Sequence, residues 1–199
     1  RIHGLCAVVR TQPPADGRCS RESARSSPAV SGRRRDTDGR HGNEALTQMG
    51  NIELTSPAFA DGEQIPPEYG ASARNVNPPL AIAAVPADAE SLALIIDDPD
   101  AVEPTGNVWD HWIVWNVPPA TESIPEGWTP ETAQEGTNDA GTVGYGGPNP
   151  PDAVHEYRFQ LFALDTTLDL PASTDADDLR AAMEGHVLAQ TQLTGTYPP

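Results

Sequence analysis

The sequence predicts a mainly all-β protein, an antiparallel two-sheet β-sandwich with a short C-terminal helix. Short apolar runs with the alternation of β-strands recur along residues 49–199. Breaks rich in proline and glycine separate these runs, and the whole chain contains 21 Pro and 17 Gly. A single late segment has helical spacing. Short strands joined by long proline-rich connections are typical of a sandwich.

The chain divides near residue 48 into two regions of opposite charge. Residues 1–48 hold nine Arg against five acidic residues, a net charge of +4, and show no strand or helix periodicity. Residues 49–199 hold three Arg against twenty-four acidic residues, a net charge of -21. We therefore expect a disordered leader or artefactual extension over 1–48, and one folded domain over 49–199 that starts at or near Met49. A basic interaction arm is the alternative for 1–48.

The charge composition bears on habitat and partners. The chain has no lysine, and its formal net charge is -17. Such an acidic chain resembles proteins of salt-loving archaea, so we expect a halophilic protein that self-repulsion destabilises in low salt. Nucleic acid is disfavoured as a partner because phosphate binding requires Lys or Arg. An acidic disordered protein is the alternative, and the apolar runs of residues 49–199 disfavour it.

Targeting and redox signals are few. No apolar run approaches the roughly 18 residues that a membrane span needs, and the run at 5–9 is too short for a signal peptide. We therefore expect no integral membrane segment and a cytoplasmic location. Both cysteines, Cys6 and Cys19, precede residue 49, so the folded region is expected to have neither a disulfide nor a thiolate site.

The first half of the folded region predicts three strands. Residues 51–55 alternate, and residues 77–82 enter a second strand. Residues 91–96 are apolar on both faces, which is typical of a central buried strand. The even-numbered residues of that strand share one face, and Asp98 continues the same face.

The second half predicts two further long strands. Strict alternation of residues 108–117 places His111 on the same face as Ile113 and Trp115. In residues 154–165, His155 and Tyr157 share a face with the apolar positions that follow them. An edge strand at 134–137 and a final strand at 190–196 complete the sheets.

A helix is predicted after residue 174. Thr174 followed three residues later by Asp177 fits a capping box, with Thr174 as the cap. Apolar residues then recur at helical spacing. They are Ala176, Leu179, Met183 and Val187.

Two polar segments are predicted to meet in one small pocket. The first comprises residues 97–104 and 109–118, and the second comprises residues 144–157. A histidine beside a carboxylate gains affinity for a proton, and the amides of a Gly-Gly-Pro turn point outward together. Such a pocket suits a phosphate monoester or a zwitterionic head group. The candidate ligand-binding residues are Asp98, Asp100, His111, Tyr145, Gly147, Pro148, His155 and Tyr157.

Other interpretations of these residues remain open. A histidine in an aromatic strand is more often a hydrogen-bonded core residue, and Asp before Pro is usually a turn former. Two His and two Asp suit a metal, although no His-x-x-x-His spacing occurs. The same groups suit acid–base hydrolysis of a phosphoester. No Gly-x-Ser-x-Gly motif is present, so a nucleophilic triad is disfavoured.

Four motifs resemble the phosphatidylethanolamine-binding protein family over about residues 50–197. They are Asp98-Pro-Asp-Ala, His111-Trp-Ile-Val-Trp-Asn, Tyr145-Gly-Gly-Pro with two further prolines, and His155-x-Tyr157. Their order and spacing are similar to those of its short bacterial and archaeal branch, the Raf kinase inhibitor-like proteins. Where that family often has a basic or small residue, this chain has Glu156.

The resemblance implies a function as well as a fold. It implies a β-sandwich with an anion pocket lined by Asp98, His111, the Gly147-Pro148 turn, His155 and Tyr157. We therefore expect a protein that binds a small anionic or zwitterionic ligand and has no cofactor and no catalytic activity. A phosphoester hydrolase and an inhibitor module that binds a kinase or protease are the alternatives. The sequence leaves a homodimer open.

Overall fold

The computed structural model describes residues 51–199, so the predictions for residues 1–48 lie outside the described residues. Two antiparallel sheets form the fold, one with the strand order β1-β2-β5 and one with the order β6-β4-β3-β7-β8. The strands are β1 Glu53–Thr55, β2 Leu80–Ala83, β3 Ser91–Asp98, β4 Trp109–Val117, β5 Ser123–Ile124, β6 Gln134–Glu135, β7 His155–Leu164 and β8 Val187–Tyr197. The helices are α1 Val102–Thr105 and α2 Ala176–Met183. The predicted all-β class is confirmed.

The strand β3 lies at the centre of the five-stranded sheet, as its sequence predicts. All eight of its residues are buried, and it pairs with β4 on one side and β7 on the other. Its even-numbered side chains pack in a core shared by both sheets, which we call the sandwich core. Its odd-numbered side chains pack against α2 in a second core, the helix-side core. Burial on both faces explains the continuous apolar run.

The strand β4 departs from strict alternation, and the predicted face of His111 is therefore wrong. Ile96 is opposite Trp112, but the next residue of β3, Asp97, is opposite Asp110. His111 is thus one extra residue, a β-bulge that shifts the phase of the strand. Ile113 packs in the helix-side core, whereas the His111 ring meets the ring of Tyr157, a sandwich-core residue, at 5.2 Å between centroids.

The predicted late helix is present, but its cap and its end differ from the prediction. Asp175 is the cap, since its side chain accepts the Asp178 amide at 2.9 Å. Thr174 is instead buried, and its carbonyl accepts the Thr137 amide. The helix ends at Met183 because the chain turns at Gly185, which has a φ of 82°. Val187 consequently lies in β8 and is exposed.

The remaining predicted strands are present, although β1, β2 and β6 are shorter than predicted. The pair β6 and β4 forms the predicted edge, and β8 is longer than predicted and pairs along almost the whole of β7. Among residues 51–199, no helix has the length and apolar character to cross a bilayer. The cytoplasmic location stays a prediction.

Candidate functional site

A cavity of about 500 Å³ opens where β3 ends and β7 begins. Six of the eight predicted residues are in its wall. They are Asp98, His111, Tyr145, Gly147, His155 and Tyr157. Antiparallel pairing of the two central strands brings the C-terminal end of β3 beside the N-terminal end of β7, which explains how residues 57 positions apart come together. The predicted meeting of the two polar segments is therefore present.

Asp98 is fixed by three hydrogen bonds. Its Oδ1 accepts the amides of Asp100 and Ala101 at 2.9 and 3.0 Å, where the chain turns after β3. Its Oδ2 lies 2.8 Å from Nδ1 of His155. Only 3% of Asp98 is exposed, and a buried carboxylate requires such partners. Asp98 therefore orients His155.

His155 lies between two carboxylates. Its Nδ1 faces Asp98, and its Nε2 lies 3.0 Å from Oδ1 of Asp152. Burial by itself lowers the pKa of His155, but the hydrogen bonds and negative charges of Asp98 and Asp152 outweigh it and raise this pKa above its usual value. When the ring is protonated, both nitrogens donate to carboxylates. The surroundings of His155 thus favour its positively charged form.

The pKa of His111 is lowered, in contrast to that of His155. Burial lowers its pKa and outweighs the opposing effects of the Gly146 carbonyl and of Asp98. Its Nδ1 lies 2.7 Å from the Gly146 carbonyl oxygen, which can only accept. The neutral ring therefore carries its proton on Nδ1, which leaves Nε2 as an acceptor.

The two tyrosines of the wall keep their hydroxyl protons. Burial raises the pKa of Tyr157, and the negative charge of Asp98 raises it further. Burial also raises the pKa of Tyr145, whose hydroxyl donates to the Tyr69 carbonyl at 3.2 Å. Tyr157 is accordingly a neutral donor beside Asp98 and His111.

The glycine turn closes the wall but does not offer both of its amides. Gly146 donates to the His111 carbonyl at 2.9 Å, and Gly147 donates to Oδ1 of Asn75 at 2.8 Å. The expectation that these amides are exposed and point outward together is wrong. Glycine is required at 147 for another reason, since a Cβ there would overlap the backbone of Tyr69 and Ala71.

Two predicted residues lie outside the wall. Asp100 is exposed, and its Oδ2 accepts the Glu156 amide at 2.9 Å, which ties the turn after β3 to β7. Pro148 is buried, and its carbonyl accepts the Ala71 amide at 2.9 Å. Both support the loops around the cavity from outside.

Several wall residues were missed from sequence. Asn138 is 4% exposed, and its side chain folds its own loop by bonding Gly144 and Thr142. Asp110 borders the cavity, and burial raises its pKa to about 6. Neither belongs to a recognisable motif. The spacing of Asp152 and His155, three residues apart, was a signal that could have revealed their contact.

The wall is mostly apolar and lacks strong cations. Among its described residues it contains no Lys or Arg, so the positive charge comes from histidine alone. Within residues 51–199, no group of three His, Cys, Asp or Glu is placed to hold a metal ion. The charge, shape and hydrogen bonds of the wall suit a small organic ligand with one polar end.

Sequence similarity to known proteins identifies the family of this chain. The family model described as phosphatidylethanolamine-binding protein matches residues 55–198. The chain belongs to the phosphatidylethanolamine-binding protein family. A UPF0098 protein of Methanothermobacter thermautotrophicus is 46% identical over 151 residues, which cover 73% of this chain and 98% of the relative. A UPF0098 protein of Chlamydia trachomatis is 42% identical over 149 residues, with 73% and 98% coverage.

Solved structures agree with this family. A homologue of phosphatidylethanolamine-binding protein from Chlamydia trachomatis superposes with a TM-score of 0.71 and 40% identity, over 74% of this chain and 97% of the other. YbcL from E. coli superposes with a TM-score of 0.69 and 29% identity, over 74% and 98%. Membership supports small-ligand binding or protein interaction as the function. The halophilic origin and the Raf kinase inhibitor-like branch stay predictions.

Proposed function

We propose that this member of the phosphatidylethanolamine-binding protein family binds a small phosphate monoester or zwitterionic phosphate head group in the cavity. The observation that carries this proposal is the different surroundings of the two histidines, since His155 lies between two carboxylates whereas buried His111 bonds a backbone carbonyl. His155 is the charged group, while neutral His111 presents an acceptor nitrogen. A singly protonated phosphate ester matches both, since its P–O⁻ faces positive charge and its P–OH donates to an acceptor.

The electrostatics limit how much negative charge the ligand brings. The wall includes Asp98 and Asp110 and, among its described residues, no Lys or Arg. A doubly charged phosphate would face these carboxylates with only His155 as compensation. A single negative charge, or a zwitterion whose ammonium meets a carboxylate, is therefore favoured.

Histidine NMR tests the proposal directly. We would titrate inorganic phosphate and phosphorylethanolamine at molar KCl and follow the imidazole nitrogens. Saturable shifts of His111 and His155 are expected. His186 is an internal reference, because it also contacts a carboxylate, Asp165 at 2.8 Å, yet is not part of the wall. Equal shifts of all three rings, or no saturable shift, would contradict the proposal.

A matched pair of tyrosine variants tests the geometry. Tyr157→Phe removes a hydroxyl in the wall, and a hydrogen bond to a charged group contributes about 1.5–3 kcal/mol. We therefore expect affinity to fall about tenfold or more. Tyr69→Phe removes a hydroxyl that donates to Glu126 and lies outside the wall, so affinity should stay within about twofold. Release of inorganic phosphate from phosphorylethanolamine in the same samples, lost in His111→Gln, would support the hydrolase alternative instead.

A protein-interaction role is favoured by a separate observation. Three valines next to wall residues are exposed: Val102 by 45%, Val143 by 57% and Val154 by 60%. Exposed apolar side chains that form one contiguous patch are typical of an interaction site. A partner, such as a kinase or protease, that the wild type retains at high salt and Val154→Asp loses would support this role. The homodimer stays a prediction.

A further inference from the structure

Asp152 occupies the outer nitrogen of His155. Its Oδ1 lies 3.0 Å from Nε2 of the ring. The histidine side chain is 4% exposed, whereas the aspartate side chain is 53% exposed. The carboxylate therefore reaches the ring from the protein surface, while Asp98 holds the inner nitrogen.

The two carboxylates differ in how firmly they are held. Asp98 is buried and accepts two backbone amides besides the histidine. For Asp152, the described contacts are the histidine and the amide of the next residue, Ala153, at 3.0 Å. An exposed carboxylate that leaves its partner is rehydrated at small cost, whereas a buried one is not. Asp152 is thus the displaceable partner of His155.

The contact between Asp152 and His155 is important because other donors of the wall are already bonded within the protein. The amides of Gly146 and Gly147 are already bonded to His111 and Asn75. Among the described residues of the wall, no Lys or Arg offers a positive donor. Among the described wall residues, the positively charged donor left for an anion is therefore the Nε2–H of protonated His155, which Asp152 already accepts.

We propose that Asp152 is an internal competitor for anions, a specificity-determining residue whose carboxylate takes the place on His155 that the phosphate of a ligand must win. The inference rests on the proposed function of the same cavity. Wild-type affinity for inorganic phosphate is set by the exchange of one carboxylate for one phosphate oxygen. Pro150 and Pro151, which line the cavity just before Asp152, restrict the backbone and keep the carboxylate near the ring.

The test compares the binding of inorganic phosphate, and of phosphorylethanolamine as a second probe, by four proteins at molar KCl. They are the wild type, Asp152→Asn, Asp152→Ala and the control Glu156→Gln. The control removes one negative charge from the neighbour of His155, and the described contacts of Glu156 involve its backbone amide and not its carboxylate. Both Asp152 variants are expected to bind phosphate about tenfold more tightly than the wild type, while the control changes affinity by less than about twofold.

The outcomes separate the competitor from the site itself. Tighter binding in both Asp152 variants but not in the control supports the proposal, also if the wild type binds too weakly to measure. An equal gain in Glu156→Gln would show a general charge effect and overturn it. Wild-type binding with unchanged or weaker binding in the Asp152 variants would overturn it and leave the proposed function standing. Absence of binding of phosphate and phosphorylethanolamine by all four proteins would overturn both.

Discussion

Replacing Asp97 by asparagine tests how the end of β3 is held beside the site. Asp97 is fully buried and faces the helix-side core. Arg158 of β7 donates to its two oxygens at 2.7 and 2.9 Å. Gln160 of β7 and Arg180 of α2 donate to Oδ2 at 2.7 and 2.9 Å. One carboxylate thus joins β3, β7 and α2.

The expected loss of stability in Asp97→Asn follows from the burial of Asp97 and the partial exposure of its two arginine partners. Breaking a buried ion pair by removing one partner costs about 3–5 kcal/mol. The side chains of Arg158 and Arg180 are 31% and 36% exposed, so water compensates part of their lost contacts. We therefore expect the low end, about 3 kcal/mol of unfolding free energy, which corresponds to about 6–12 °C in Tm for a domain of this size.

Urea unfolding at molar KCl measures this loss. Arg74→Met is the control, because it breaks an ion pair with Glu126 whose side chains are 57% and 35% exposed. Exposed pairs contribute little, so the control should unfold at the wild-type midpoint. A loss below about 1 kcal/mol in Asp97→Asn, or equal losses in the two variants, would refute the reasoning.

Two further predictions concern pH and backbone geometry. The folded protein raises the pKa of His155, so the stability that its charge contributes is complete below about pH 6.5 and is lost as pH rises through the folded pKa. The stability difference between wild type and His155→Gln should narrow over that range, and widening would contradict this. Asn116 has a φ of 57° and bonds both backbone groups of Leu168, so Asn116→Ala should cost about 2–4 kcal/mol in thermal or urea unfolding; a loss below about 0.5 kcal/mol would contradict it.

The central strands were predictable because their burial leaves recognisable apolar patterns in the sequence. The run at 91–96 identified β3, and the alternation of residues 155–161 identified the buried face of β7. The site was predictable as a set of motif residues, since six of the eight lie in one wall. The alternation of side chains along a strand and the order of the motifs are both visible in the sequence.

The rest depends on contacts between distant segments. The bulge at His111 cannot be derived from β4 alone, because it is defined by the register with β3. The use of the Gly147 amide depends on Asn75, which is 72 residues away. Thr174 and Asp175 are both good caps by residue type, and burial of Thr174 by the surrounding loops decided between them.

Two consecutive aspartates show how one strand end serves both stability and binding. Successive residues of a strand face opposite sides of a sheet. Asp97 therefore faces the helix-side core and is neutralised by arginines, while Asp98 faces the cavity and holds His155. The bulge on β4 adds the second histidine to the same side, since strict alternation would have placed His111 with Ile113. A rigid, ion-paired strand end thus positions an acceptor histidine and a charged histidine in one cavity without a lysine or arginine in its described wall.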